Sequence, residues 1–209
     1  MVDHIRMILP RLLPATLGAA LVVGVLAACA ATETRVELIA DSYVADVDGE
    51  LFVGVMVAPH PPDGTVKDVV VYLCDSESVS TWLYGQTDGG SIVLEADGAR
   101  VVLELGLDVV TGNVELAGGD AQAFTAVAAE GDAGLHRAEE QTVDGLHVGG
   151  WIILNSLEQR GALTLGGAIL ESPTLDPATG EAESSIGTLS TVRCFRNPFT
   201  GERICRALD

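Results

Sequence analysis

His136 and His147 stand on either side of an Asp144-Gly145 turn signal, with Glu139 and Glu140 between them. Two imidazoles and a carboxylate brought together on paired strands would make a site for a divalent transition metal. The same side-chain types serve general acid–base hydrolysis. The simpler expectation is that both are solvent-facing strand histidines. Neither belongs to a His-Glu-x-x-His segment, and His60 lies in no ligand pattern either. A Gly-x-Ser-x-Gly elbow and a strand-to-helix phosphate loop are both missing from the sequence. The chain is therefore expected to be no enzyme and to carry no cofactor.

Other residues invite chemistry and have plainer readings. Asp46-Val47-Asp48-Gly49-Glu50 begins like a calcium loop but lacks the later ligands, so a hairpin turn is expected. Cys74 precedes Asp75, and a neighbouring carboxylate raises a thiol pKa, the wrong direction for a nucleophile. A buried core cysteine or a disulfide partner is the expectation there. Cys194 and Cys205 flank Asn197-Pro198 and Thr200-Gly201, which are turn signals. A hairpin would bring these two sulfurs together, and closing so short a loop contributes somewhat under ~3 kcal/mol. Pairing of Cys74 with either of them competes. Trp82, Trp151, Tyr72 and Tyr84 are the large amphipathic rings. They are candidates to line a ligand cavity in a barrel mouth, with packing between strands as the alternative. Arg193, Arg196, Arg203 and Arg206 concentrate positive charge in the tail, where they would complement the acidic body or an acidic partner.

These residues must be positioned by strands. Alternating runs at Leu51–Ala58, Lys67–Cys74, Val79–Gly85, Ser91–Ala96, Ala99–Leu105, Val109–Leu116, Ala121–Ala129, Leu135–Thr142, Leu146–Leu154 and Arg160–Leu165 are separated by Gly- and Asp-rich turns. Ala99, Val101, Leu103 and Leu105 share a face opposite Arg100 and Glu104, the signature of a sheet buried on one side. The expected fold is mainly β: one antiparallel up-and-down barrel over 43–170, with a sandwich as the alternative. Residues 171–185, with two prolines and no periodicity, read as a linker. Residues 186–209 read as a basic hairpin appendage.

Composition sets the compartment. The chain of 209 residues holds 30 acidic against 11 basic residues, a net charge of −19. That excludes nucleic-acid backbone binding, which needs clustered Lys and Arg. Arg6 and Arg11 precede an uncharged run from Leu17 to Ala28, too short for a permanent span of roughly 20 apolar residues. Residues 1–28 thus read as a signal helix. Leu26-Ala27-Ala28-Cys29 resembles the lipobox of bacterial lipoproteins. The resemblance implies cleavage before Cys29 and a diacylglyceryl thioether on its sulfur. Two acyl chains hold a protein firmly where one does not. Residues 29–42 would then be the lipidated end and a short tether, holding the domain at the outer face of the cell membrane.

Within the barrel, Val71-Tyr72-Leu73-Cys74-Asp75, Trp82-Leu83-Tyr84-Gly85, Gly134-Leu135-His136-Arg137-Ala138 and Gly150-Trp151-Ile152 follow in order. They resemble an uncharacterised module of secreted or membrane-anchored actinobacterial proteins, a likeness that implies no activity. Ser76 departs from that pattern, where glycine is expected. The functional expectation is an envelope module that binds a protein partner or a small hydrophobic ligand. A structural surface lipoprotein is the second reading and a hydrolase the third.

Overall fold

The computed structural model describes residues 37–60 and 64–207; the signal, Cys29 and the start of the tether lie outside them. The described chain is all strand. In order, these are β1 (Glu37–Asp46), β2 (Phe52–Pro59), β3 (Lys67–Cys74), β4 (Ser80–Thr87), β5 (Ser91–Ala96), β6 (Ala99–Leu105), β7 (Val109–Leu116) and β8 (Gln122–Ala128). There follow β9 (Gly134–Thr142), β10 (Gly145–Ile153), β11 (Gln159–Leu165) and β12 (Ala168–Glu171). The last five are short: β13 (Leu175–Asp176), β14 (Glu181–Ser184), β15 (Gly187–Ser190), β16 (Cys194–Arg196) and β17 (Arg203–Arg206).

The first eight strands form an antiparallel meander in the order β4-β3-β2-β1-β8-β7-β6-β5. Pairing of Tyr43 with Ala128 and of Val44 with Val127 joins its two halves. The barrel is nearly closed, with β4 and β5 as the free edges. Period-2 alternation decides which residues fill it. Val53, Val55, Val57, Val69, Val71 and Leu73 point inward, and meet Val101, Leu103, Val110, Val114 and Phe124 from the other half. This interior is packed with side chains.

The alternate residues of β1–β4 point outward, yet Phe52, Met56, Val70 and Tyr72 are also buried. Both faces of these strands read as apolar because a second sheet, β12-β11-β10-β9, covers the outer wall. Close approach needs glycine at Gly150: a Cβ there would stand 2.6 Å from Tyr72 Cζ and 2.8 Å from Trp82 Cζ2. On the far side of this sheet the Trp151 ring lies over Gly149 and Gly161, where a Cβ would come within 2.4 and 2.1 Å of ring atoms. A third layer, β13-β14-β15, completes the burial of Trp151 through Leu175, Ala182 and Leu189. The Trp151 indole donates to Pro173 O at 2.7 Å, and the Gln159 side-chain amide donates to Leu175 O at 3.0 Å and accepts the Leu175 N–H at 2.9 Å.

Three segment boundaries differ from the sequence reading. The barrel ends at β8, because the outward faces of β1–β4 are too apolar to stay wet and take β9–β12 as a separate cover. Residues 37–42 of the supposed tether are the first half of β1, and Leu38 and Ala40 there are buried. The supposed linker 171–185 holds β13 and all of β14, with Leu175 and Ala182 buried on the second sheet. The terminal hairpin is accordingly shorter than 186–209, since β15 belongs to the third layer. It consists of β16 and β17, with the Cys194–Cys205 disulfide across its directly paired residues. Strand β17 runs parallel to the start of β1, and Arg203 pairs with Glu37 at 3.1 Å.

Candidate functional site

At one rim of the barrel the β2–β3 turn, β4 and the terminal hairpin meet around a polar recess. His60 follows the last residue of β2, and its backbone N–H donates to Val66 O at 2.8 Å, which closes the turn. Asp68 is the second residue of β3, on the outward face beside Val70 and Tyr72. Glu202 sits at the end of the hairpin turn, where its carbonyl accepts the Asn197 N–H at 2.8 Å. His60 Nε2 lies 2.6 Å from Asp68 Oδ2 and 3.1 Å from Glu202 Oε2. Gln86 Nε2, from the β4 residue paired with Asp68, lies 3.0 Å from the same ring nitrogen.

The electrostatics of this recess are unusual. Asp68 is fully buried, and a buried carboxylate is costly unless its oxygens are compensated. Its Oδ1 accepts from Gln86 Nε2 at 3.1 Å and from Asn197 Nδ2 at 3.0 Å. Its Oδ2 and the Glu202 Oε2 are buried with no hydrogen bond, even though both lie near the imidazole. Asn197 is itself buried, and its Oδ1 accepts the Phe199 N–H at 2.9 Å. The Asn197 amide thus ties the hairpin turn to Asp68 on β3.

Beside the recess, Arg137 ties three elements together. Its guanidinium lies 4.5 Å from the Trp82 ring centre and 5.4 Å from that of Phe195, a cation–π arrangement on two sides. It also donates to Tyr84 Oη at 3.3 Å and pairs with Glu139 at 2.8 Å. Tyr72 and Trp82 stack at 4.3 Å. Burial pushes the Tyr72 and Tyr84 phenols above their ordinary range.

Neither a protein-family model, a curated protein nor a solved structure matches the chain. The site is therefore read from its own chemistry.

Other residues singled out by sequence are placed differently. The four rings line no cavity in the barrel mouth. Tyr72, Trp82 and Tyr84 alternate outward and pack between the first two layers, while Trp151 faces the third. His136 and His147 share a face of the second sheet but do not converge. Trp151 pairs with His136 and Glu140 with His147, which leaves the histidines four residues apart along the ladder, about 13 Å. Nor are they solvent-facing: both are buried. His136 donates through Nε2 to Asp132 O at 3.2 Å and accepts through Nδ1 from Arg206 Nη1 at 2.7 Å. Burial, with the Arg206 charge added, lowers its pKa to about 4.

Asp46–Glu50 is a turn, with Asp46 Oδ1 accepting the Gly49 N–H and Asp48 Oδ1 accepting those of Glu50 and Leu51. Cys74 is a free, buried thiol. Burial raises its pKa, and the Asp75 charge is a lesser contribution in the same direction. The tail arginines serve the chain itself: Arg203 reaches Glu37, Arg206 reaches His136, and Arg196 donates to Gly201 O at 2.9 Å.

The rim recess is not legible in the sequence, where His60 lies in no ligand pattern and Glu202 stands more than a hundred residues from it. One signal is in the sequence: Asp68 alternates with Val66, Val70 and Tyr72, and a carboxylate on such an apolar face needs a partner from elsewhere in the chain.

Proposed function

We propose that this chain is an exported, lipid-anchored module of the cell envelope that acts by binding rather than by catalysis, with the rim recess as its binding site. The observation that carries the binding site is the convergence on His60 Nε2 of two buried carboxylate oxygens that lack a hydrogen bond. The filled barrel and the side chains packed between its layers argue for a ligand met at the rim. Apolar side chains occupy the barrel interior and the space between the first two layers.

Export and anchoring are supported by the lipobox-like Leu26-Ala27-Ala28-Cys29 and by the Cys194–Cys205 disulfide, a bond that persists in oxidising compartments. The anchor has a direct test. Cells expressing the full chain are fed an alkyne fatty acid, and the labelled protein is followed through membrane fractionation. The expected result is label and membrane retention in the native chain, both lost in Cys29→Ser. An unlabelled native chain, or label unchanged by the substitution, would remove the lipid anchor.

Binding at the recess is tested by thermal shift with a panel of cations, phosphate, sulfate and short dicarboxylates, because a ligand that binds only the folded state raises its stability. A shift lost in both His60→Gln and Glu202→Gln is expected. No shift with any panel member would overturn the recess as the binding site.

A further inference from the structure

The geometry points to a site for one divalent transition cation, zinc above all, held by His60 Nε2, Asp68 Oδ2 and Glu202 Oε2; this rests on the recess being the binding site. A ring nitrogen has either one in-plane proton or one lone pair. His60 Nε2 stands close to both carboxylate oxygens, yet neither oxygen has a hydrogen bond. If the nitrogen is bare, its lone pair accepts from Gln86 while two carboxylate oxygens crowd it at 2.6 and 3.1 Å. One ring nitrogen cannot hydrogen-bond both carboxylate oxygens, and both are buried without a hydrogen bond. A dication among the three atoms compensates all of them at once.

The donor set and its support fit zinc. All three ligand atoms lie within 4.8 Å of one another. Zinc takes imidazole nitrogen and carboxylate oxygen at about 2.0–2.2 Å, so tetrahedral ligands stand roughly 3.3 Å apart. The Glu202 contact is close to that spacing, the Asp68 contact must open by some tenths of an ångström, and the Gln86 amide must yield the ring lone pair to the ion while keeping its bond to Asp68 Oδ1. Calcium and magnesium favour oxygen alone, whereas the imidazole selects a first-row transition ion. Three protein ligands leave the fourth position to water. The second carboxylate oxygen of Asp68 is already held by Gln86 and Asn197, which fixes Oδ2 toward the ion, the kind of outer bonding that metal ligands need. Because the ligands come from the β2–β3 turn, from β3 and from the hairpin, the ion would clamp the disulfide-closed hairpin onto the barrel.

The test uses the full chain in detergent, disulfide intact, stripped of metal by a chelator. Zinc is titrated calorimetrically, cobalt(II) is followed by its visible absorption, and magnesium and calcium are run in parallel. We expect one equivalent of zinc per chain and cobalt bands of a low-coordinate site. Both signals should be lost in His60→Gln and Glu202→Gln, whose positions are only half buried, and in Asp68→Asn if that variant folds. Gln86→Leu should weaken zinc binding roughly 10–100-fold. Circular dichroism establishes that the variants fold. Absence of zinc uptake by the folded native chain, or uptake unchanged in both His60→Gln and Glu202→Gln, overturns the proposal. Should calcium, phosphate or a dicarboxylate bind at the recess where zinc does not, the zinc assignment fails while the recess stands.

Discussion

Single residues in this chain carry opposed contributions whose balance is measurable. His136 is held neutral by burial and by Arg206, with a pKa of about 4 against an ordinary 6.5. Between those values the unfolded imidazole takes up a proton and the folded one does not, so folding stability falls as pH drops through this window. The full loss, reached below about pH 4, is roughly 3 kcal/mol. Chemical denaturation of His136→Gln across the same range should show a shallower pH dependence than the native chain, and equal slopes would sink this account. Ser76 poses a different balance. Its φ of 70° is in the left-handed region, which accounts for the glycine that sequence resemblance led one to expect there. Its hydroxyl, however, accepts the Gly161 N–H at 3.1 Å, and its carbonyl accepts the Ser172 hydroxyl. Ser76→Ala loses the hydroxyl and keeps the strain, a cost of roughly 1–3 kcal/mol. Ser76→Gly loses the same bond but relieves a strain of about 1 kcal/mol, so it should be the milder change in urea titrations. The reverse order would show that the left-handed backbone at this position stores no strain for glycine to relieve.

At the scale of elements, the outcome turns on where local pattern and long-range pairing agree. Strands β3, β5, β6 and β7 run over the residues that alternation and Asp-Gly turns assign to them, because each is a hairpin partner of its sequence neighbour. Strand β1 escapes that logic. Its first half pairs in parallel with β17, over a hundred and fifty residues away, and its second half with β2 and β8, so no single periodicity runs along it. Strands β13–β15 are too short to display a period, and they exist because Trp151 needs covering. The recess was illegible for a related reason, since His60, Asp68 and Glu202 come from a turn, a strand and a distant hairpin, and only the fold joins them. Glycines in β10 look like breakers in the sequence, yet they are what lets two layers touch. Gly150→Ala would drive a methyl group into the stacked Tyr72 and Trp82 rings, whose neighbours Arg137 and Phe195 leave little room to retreat. Overpacking of this kind costs about 1–3 kcal/mol. The melting temperature of Gly150→Ala should fall by several degrees with its β content retained, while an unchanged value would mean the layers are looser than the described contacts.

For the whole molecule the governing feature is charge. With 30 acidic and 11 basic residues, the chain repels itself, a destabilisation that compactness intensifies. Attractive pairs do little to offset it. Away from the recess, the close ion pairs among the described residues are Arg100 with Glu95, Arg137 with Glu139 and Arg203 with Glu37, and exposed pairs contribute about 0–1 kcal/mol each. Screening therefore removes more repulsion than attraction. The Debye length shortens from about 30 Å at 0.01 M salt to about 3 Å at 1 M. Raising sodium chloride over that range should accordingly increase the melting temperature. Chloride is the right salt, because sulfate strengthens apolar burial by exclusion and would mimic the effect. The native chain and Arg203→Gln should shift by similar amounts, since one exposed pair is a small part of the field. A melting temperature that falls with salt would mean that attraction dominates. The few arginines, concentrated in the hairpin against the acidic body, would then be holding the fold together by charge.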